Sequence, residues 1–349
     1  MSRIGYNQLS AAEKKAYEQF ERAFNSCSST VDSDGIDRNV DVMKVLQVAL
    51  GDNPQVIYFN KTQIRISASL FGGKQVHFSG AVSSSQARTM QKQLETALTK
   101  AIEEIELLNP LSNYDKLICI YEYVQDNVTY DSKELEACCR LGRSVNPMSH
   151  NAYGVLVNKK GVCDGISSAF SLLAQRMGFE CSMVSGKATF RTSGFSEHAW
   201  NVIEIADNFY HIDATWDVNH KEQTGEYSYE YFCVNDDSIN RDHDWDIKTT
   251  PVCSREDISF YIRNRCYANN LSQLEEIFAR YAKSKQKVVR AKIADGIAIP
   301  EPEDQYLGQK LVNVASSVGR YAAIKFIWNR TQDVFMQSLI HRGLEDEKE

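Results

Sequence analysis

The sequence contains no long apolar run, no cluster of basic residues and no CxxC pair. A helix that crosses a membrane needs about 18 or more consecutive apolar residues, so we expect none in this chain. The net charge of −7 argues against general nucleic-acid binding, because phosphate recognition depends on clustered Lys and Arg side chains. We therefore expect neither a membrane nor a nucleic acid as partner.

Cysteine is present, but not in the pattern of a disulfide-bonded or zinc-binding protein. Nine cysteines, an odd number, are scattered along a chain whose first twenty residues lack the apolar stretch of a signal peptide. Free thiols in a reducing compartment fit this pattern better than disulfides. The adjacent Cys138 and Cys139 have no partners at ligand spacing nearby in the sequence. We therefore expect a cytoplasmic protein without disulfides or bound metal.

What is present is the composition of an ordinary globular protein, with 43% hydrophobic and 24% charged residues. A chain of 349 residues is long for one compact domain. We predict a mixed α/β N-terminal module at 1–108, a core at 109–253 and a C-terminal accessory segment at 254–349.

Periodicity, capping residues and turn formers predict the local structure. Ser10 and Glu13 form a capping-box pattern at the start of the first helix. The predicted helices are 10–24, 40–50, 86–108, one that begins near 112, and 271–282; the predicted strands are 56–59, 63–68, 75–78, 229–234 and 287–293; 131–151 and 237–251 are predicted loops, with a bend at Gly72-Gly73 and a frayed tail at 345–349.

The segment around Cys163 combines a turn with the start of a helix. Gly161 and Gly165 flank the cysteine, and we expect them to let the backbone turn sharply and keep the sulfur approachable. At the first turn of a helix, free N–H groups and the helix dipole favour a thiolate and can bind an oxyanion. Cys163 is thus a candidate nucleophile, although a single cysteine is more often a small buried apolar residue. The helix is indicated by apolar residues at helical spacing: Ile166, Ala169, Phe170, Leu173 and Met177, with a stop at Gly178.

The run 198–213 consists of two β-rich stretches separated by turn formers, which is typical of a hairpin. If Ala206-Asp207 is a two-residue loop, Asp213 is the diagonal neighbour of His198 on the same face. Diagonal neighbours lie about 7 to 8 Å apart, so the carboxylate can reach the imidazole. It would then orient the ring and stabilise its protonated form.

Other arrangements of this hairpin stay open. A three-residue loop would place His198 and Asp213 on opposite faces, and a loop at Asp207-Asn208 would separate them. His211 shares a strand face with Asp213, so it is a rival candidate for the base. Taken singly, each of these residues is more often structural than catalytic.

The blocks GVCDG, HAWN and DATWD contain Cys163, His198 and Asp213 in that order. Together they resemble the three-block pattern of bacterial transglutaminase-like proteins, a superfamily that also holds eukaryotic transglutaminases and peptide N-glycanases. The resemblance covers 112–217 and implies that the three residues form a catalytic triad, with His198 favoured over His211. It also implies an α+β fold in which the helix bearing the nucleophile packs on an antiparallel sheet, as in papain.

Other residues of such a site are less defined. Tyr153 is a candidate second oxyanion donor, and Trp200 and Trp216 are candidates for the wall of a substrate cleft, although all three also fit the buried core. Ile166 stands where many bacterial relatives have an aromatic residue after Cys-x-Gly. That departure alters packing behind the nucleophile and removes no catalytic group.

The resemblance implies acyl transfer from peptide or glutamine-like amides through a thioester, with a protein or peptide substrate and no cofactor or metal. We expect hydrolysis rather than cross-linking, because cross-linking needs a second substrate site that the sequence does not reveal. The alternative is a catalytically silent module that binds a peptide or protein in the same cleft. An intact triad argues against this alternative, since binding alone needs none of its three groups.

Overall fold

The computed structural model describes residues 2–32, 36–37, 39–68, 74–189, 194–284, 286–300, 302–319, 321–329, 331–332 and 334–341. The chain divides into two compact units, Met1–Arg255 and Glu256–Glu349. All candidate site residues lie in the first unit, and the boundary predicted after residue 108 stays a prediction. Along the described residues, no helix combines the length and the apolar character needed to cross a bilayer.

The first unit alternates helices with short strands. Its helices are α1 (Ile4–Gln8), α2 (Ala11–Ser26), α3 (Val42–Asp52), α4 (Ser84–Leu107), α5 (Asn113–Asn127), α6 (Ser132–Leu141), a 3-10 helix (Pro147–His150), α7 (Ala152–Leu156), α8 (Cys163–Arg176), α9 (Thr215–Thr224) and α10 (Asp236–Ile239). Its strands are β1 (Thr30–Asp32), β2 (Ile64–Ala68), β3 (Lys74–Phe78), β4 (Thr129–Tyr130), β5 (Lys160–Gly161), β6 (Glu180–Ala188), β7 (Ser196–Ile205), β8 (Asn208–Ile212), β9 (Phe232–Val234) and β10 (His243–Asp244).

Side-chain caps fix where several of these helices begin. Ser10 and Glu13 form the predicted capping box of α2, and Ser112 caps α5. Asp131 caps α6 by accepting from the N–H of Glu134. Each cap satisfies backbone donors that have no partner within the helix, which stabilises the helix start by about 1 kcal/mol.

A five-stranded sheet in the order β10-β6-β7-β8-β9 carries the candidate site, with antiparallel pairing between neighbours. Helix α8 packs on it through buried hydrogen bonds. Asn201 of β7 donates to the carbonyl of Ser167 (3.0 Å) and to Ser171 Oγ (2.8 Å). Ser167 Oγ in turn donates to the carbonyl of Ala199 (2.9 Å). The predicted class, a helix on an antiparallel sheet in an α+β fold, is confirmed.

Aromatic side chains fill the core in two places within the first unit. Phe59 and Phe78 stack with ring centroids 4.3 Å apart beneath α2. Tyr121 of α5 meets Phe170 of α8 and Phe232 of β9 edge-on, at 6.2 and 5.0 Å. The aromatic contacts around Tyr121 therefore join α5, α8 and β9 at the sheet edge.

Three predictions about local structure are wrong. The apolar run 56–59 forms no strand; it is buried in a turn-rich segment, where its side chains join the core without a partner strand. The predicted loop 131–151 contains α6 and the 3-10 helix. The predicted loop 237–251 contains the end of α10 and all of β10, which pairs with β6. The Gly72-Gly73 bend and the tail at 345–349 lie outside the described residues.

The second unit is also a mixture of helices and strands. Its sheet has the order β11-β12-β14-β13, with α12 and α13 contributing to an apolar core. Its elements are α11 (Phe260–Arg263), β11 (Tyr267–Ala268), α12 (Leu271–Lys283), β12 (Val288–Ile293), α13 (Glu303–Gly319), β13 (Tyr321–Asn329) and β14 (Val334–His341).

Candidate active site

Cys163 is the first residue of α8 and is partly exposed. The flanking glycines serve close packing rather than an unusual backbone turn. A Cβ at Gly165 would lie 2.1 Å from the carbonyl oxygen of Ser149, and a Cβ at Gly161 would lie 2.4 Å from a methyl group of Val155. The absence of these two side chains therefore lets the 3-10 segment and α7 pack against the start of the helix.

The hairpin adopts the two-residue loop, one of the three arrangements considered. Ile205 pairs with Asn208, and both Ala206 and Asp207 have left-handed backbone angles (φ 50° and 59°). Such a turn matches the twist of the flanking strands. The strand pairing ends at Ile212, so the next residues leave β8 and begin the approach to α9.

His198 and Asp213 meet at this point. His198 Nε2 donates to Asp213 Oδ2 over 2.7 Å, and the two side chains are 7% and 0% exposed. The other carboxylate oxygen accepts from the N–H of Thr215 (2.8 Å), and the backbone carbonyl of Asp213 accepts from the hydroxyl of Tyr121 (2.9 Å). The carboxylate is therefore held in place from both sides.

The charges of this pair stabilise each other. Burial alone would raise the pKa of Asp213, but the charge and hydrogen bond of His198 hold it well below its ordinary value. Burial alone would lower the pKa of His198, but Asp213 and a hydrogen bond to Cys163 raise it to about 9. The structure thus brings Cys163, His198 and Asp213 together, with the histidine in its protonated form at neutral pH.

His243 is a part of this site that the sequence analysis missed. Its Nε2 lies 3.2 Å from Asp213 Oδ2, and its Nδ1 lies 2.6 Å from Asp242 Oδ1. A carboxylate oxygen therefore faces each ring nitrogen. Burial alone would lower the pKa of His243, but these two contacts raise it. The sequence signal was only a histidine between two aspartates in a predicted loop.

Gly186 explains how β10 comes so close to β7. A Cβ at this position would lie 2.4 Å from the carbonyl oxygen of Asp244 and 2.8 Å from the ring of Trp200. Gly186 pairs with His198 across β6 and β7. Because Gly186 has no side chain, β10 can pack close to β7, and His243 on β10 lies near His198.

The two tryptophans differ in their exposure. Trp200 has no exposed surface, and its indole N–H donates to His211 Nδ1 (3.1 Å), so it supports the site from within the core and does not line a cleft. Trp216 is half-buried and stacks on the ring of His198 at 5.4 Å. It therefore covers one face of the imidazole.

Tyr153 and Tyr130 also differ in their surroundings. The hydroxyl of Tyr153, the predicted oxyanion donor, donates to Gln93 of α4 (2.7 Å), and no described hydrogen bond joins it to the site. Tyr130 pairs with Gly161 at the end of β4. Burial, followed by the charges of Cys163 and neighbouring carboxylates, raises the pKa of Tyr130 far above its ordinary value. Its phenol therefore stays protonated beside the thiol.

His211, the rival base, lies in a different environment. It is fully buried, with Nε2 2.9 Å from Asp236 Oδ1 and Nδ1 occupied by Trp200. The side chain that contacts Asp213 from β7 is that of His198. Cys138 is no better as an alternative nucleophile, because burial and the neighbouring Glu134 raise its pKa to about 11.

Comparison with known proteins finds a family match over the part of the chain that contains this site. Residues 103–214, about a third of the chain, match the family model described as the transglutaminase-like superfamily. The chain contains a transglutaminase-like core. The matched segment includes all three residues that the structure brings together, whereas the second unit lies outside it.

Two solved structures are similar to this chain at low sequence identity. A transglutaminase ("TGase") shares 18% identity over 44% of this chain and 44% of its own, with a TM-score of 0.32. A proposed cysteine protease from Cytophaga hutchinsonii shares 14% identity over 44% of this chain and 61% of its own, with a TM-score of 0.27. This chain thus corresponds to less than two thirds of either protein. No curated protein sequence matches it.

Proposed function

We propose that this chain is a thiol enzyme that cleaves amide bonds of peptides or glutamine-like side chains through a thioester. The observation that carries the proposal is the contact series from Asp213 through His198 to Cys163, with 2.7 Å between the carboxylate and the imidazole. His198 Nε2 is committed to Asp213, which leaves Nδ1 to exchange a proton with the sulfur. The transglutaminase-like core supports thiol-dependent acyl chemistry as the class.

In the proposed reaction the Cys163 thiolate attacks the amide carbonyl carbon, and a tetrahedral oxyanion forms. His198 donates its proton to the leaving nitrogen, the C–N bond breaks, and an acyl thioester remains with release of an amine or ammonia. Water, deprotonated by His198, then hydrolyses the thioester. Asp213 keeps the imidazole oriented and stabilises its positive charge in both steps.

We propose two groups as donors to the oxyanion. The backbone N–H of Cys163 is at the free start of α8, where the helix dipole favours negative charge. Tyr130 supplies a protonated phenol near the sulfur. We propose this residue as the second donor, because the hydroxyl of Tyr153 is engaged with Gln93. Donors of this kind contribute about 10²- to 10³-fold to catalysis.

The test uses dimethylated casein, whose glutamines are available and whose lysines are blocked. Three products are measured with wild type and Cys163→Ala: released ammonia, new peptide N-termini, and incorporation of a fluorescent primary amine. Ammonia or new termini without amine incorporation, dependent on Cys163, is the expected result. Amine incorporation would reassign the chain to acyl transfer between proteins.

The same preparation separates an inactive binding module from an enzyme with another substrate. Iodoacetamide is applied to the native protein, and all nine thiols are followed by mass spectrometry. Selective modification of Cys163 that is lost in His198→Ala supports the thiol enzyme. If Cys163 reacts as slowly as the exposed Cys139 and casein gives no product, the proposed thiol enzyme is contradicted.

A further inference from the structure

A second cluster of reactive side chains lies beside the nucleophile's helix, outside the proposed triad. Glu134 and Cys138 are one turn apart on α6, and His150 ends the 3-10 helix. Within the described residues, three groups of His, Cys and carboxylate side chains bring donor atoms within 4.8 Å of one another, and this is one of them. The sequence shows no ligand partners for Cys138, because they become its neighbours only through the fold.

The donor atoms form a triangle of the right size for a small cation. His150 Nε2 lies 3.0 Å from Glu134 Oε1, Cys138 Sγ lies 3.4 Å from the same oxygen, and the sulfur and nitrogen are 3.8 Å apart. Tetrahedral zinc with ordinary Zn–S, Zn–N and Zn–O bonds would separate such ligands by about 3.3 to 3.6 Å. Adjustments of a few tenths of an ångström would complete the coordination.

Two of the three ligands, Glu134 and His150, are already oriented by their other atoms. Glu134 Oε2 accepts from the backbone N–H groups of Val145 (3.0 Å) and Asn146 (2.6 Å), which leaves Oε1 to face the sulfur and the imidazole. His150 Nδ1 lies 2.9 Å from the Asp164 carboxylate. Nδ1 can therefore donate to this carboxylate, which is the usual outer partner of a metal-bound histidine, and a cation would displace any proton that lies between Nε2 and Glu134 Oε1.

The other two groups lack this arrangement. In the group of His211, Asp236 and Cys253, Nδ1 of the histidine accepts from Trp200, so Nε2 carries the proton and has no lone pair for a metal. In the group of His198, Asp213 and His243, two of the three side chains have no exposed surface. In the group of Glu134, Cys138 and His150, only Glu134 has no exposed surface; His150 is 11% exposed and Cys138 is partly exposed, so an ion can enter from their side.

We propose that Glu134 Oε1, Cys138 Sγ and His150 Nε2 form a binding site for a zinc-class divalent cation, with water in the fourth position. The cation would displace the proton of the Cys138 thiol, and one thiolate, one imidazole and one carboxylate are a ligand set that zinc accepts. The ion would tie α6 to the 3-10 segment and, through Asp164, to the residue that follows Cys163. Its role is therefore to hold the start of the nucleophile's helix, separate from the chemistry of the sulfur.

The test uses cobalt(II) as the probe on full-length protein that has been treated with a chelator. One equivalent should give the near-ultraviolet charge-transfer band of a cobalt–thiolate bond together with the intense visible bands of tetrahedral cobalt. Zinc should displace the cobalt and raise the melting temperature. Cys138→Ser should abolish the charge-transfer band, and Asp164→Asn should weaken binding about 10- to 100-fold, as loss of an outer partner does.

Matched variants separate this site from the triad. Cys139→Ser changes the adjacent thiol, and Cys163→Ser changes the proposed nucleophile; both should keep the band and the zinc-dependent melting temperature. His150→Gln is a second ligand variant, with circular dichroism to verify folding, in case Cys138→Ser does not fold. Loss of the band in Cys163→Ser, its persistence in both ligand variants, or no band in the wild type would overturn the proposal.

Discussion

Replacement of Asp213 by Asn tests the proposed triad most directly, because Asn keeps the shape of the side chain and removes its charge. Burial opposes the protonated form of His198, so its pKa of about 9 depends on the neighbouring carboxylate and sulfur. The difference from the ordinary value of 6.5 corresponds to about 3 kcal/mol, at about 1.4 kcal/mol for each pKa unit. Asp213 supplies the largest favourable share of it.

We therefore expect Asp213→Asn to lower the equilibrium constant for proton transfer from Cys163 to His198 by about 100-fold, which corresponds to about two pKa units of His198. The measurement is the second-order rate of iodoacetamide reaction at Cys163, followed by peptide mass spectrometry with the other thiols as internal references. The rate at Cys163 should fall by about the same factor. Circular dichroism and thermal melting verify that the variant is folded.

Asp236→Asn is the matched control, because Asp236 is the carboxylate partner of the other buried histidine of the hairpin, His211, at 2.9 Å. It should leave the reaction of Cys163 unchanged. If Asp213→Asn reacts within about threefold of the wild-type rate, the charge of Asp213 does not activate the thiol. The 2.7 Å contact between Asp213 and His198 would then have no part in the reactivity of Cys163.

Three further predictions follow from the same geometry. Tyr130→Phe should lower the rate of thioester formation in a burst assay about 10²-fold, but it should leave the iodoacetamide reaction unchanged, since alkylation forms no oxyanion. If Tyr153→Phe lowers the rate of thioester formation by the same factor, the assignment of Tyr130 as the donor is contradicted. Gly165→Ala should destabilise the first unit by about 1 to 3 kcal/mol in urea unfolding, because the new Cβ would lie 2.1 Å from a backbone carbonyl oxygen. Gly308→Ala is the control: Gly308 is in a helix with open space around it, so alanine should stabilise the second unit by about 0.5 to 1 kcal/mol. Because the pKa of His198 is raised on folding, the stability that its protonated form contributes is complete below about pH 6.5 and is lost as pH rises through about 9. The difference in unfolding free energy between wild type and His198→Gln should therefore fall by up to about 3 kcal/mol across that window. A difference that stays constant with pH would disprove this prediction.

The candidate triad could be chosen from the sequence because its signals are local. Apolar spacing after Cys163 predicts the helix on which it lies, and the turn formers between His198 and Asp213 predict a hairpin. Because the three blocks occur in the order typical of the family, the three residues are predicted together as a triad, although each of them alone is ordinary. The choice of register was not determined locally, since it depends on how the strands pair with their neighbours.

The missed residues share one cause. His243 reaches Asp213 only because β10 pairs with β6 beside a glycine. Cys138 meets His150 only because α6 folds back on the 3-10 segment. Neither pairing leaves a periodic pattern in the sequence, and the strand predicted at 56–59 failed for a related reason. Its apolar side chains are buried, but burial alone does not supply a strand with a hydrogen-bonding partner.

The sequence by itself determined which helix and which hairpin carry the reactive groups, because propensity, capping and turn chemistry act between residues close in the chain. The tertiary structure alone decided which side chains surround those groups: a second histidine on Asp213, a phenol near the sulfur, and a separate cluster of sulfur, imidazole and carboxylate. These contacts join residues far apart in the sequence. Their existence depends on packing between elements, which no local pattern encodes.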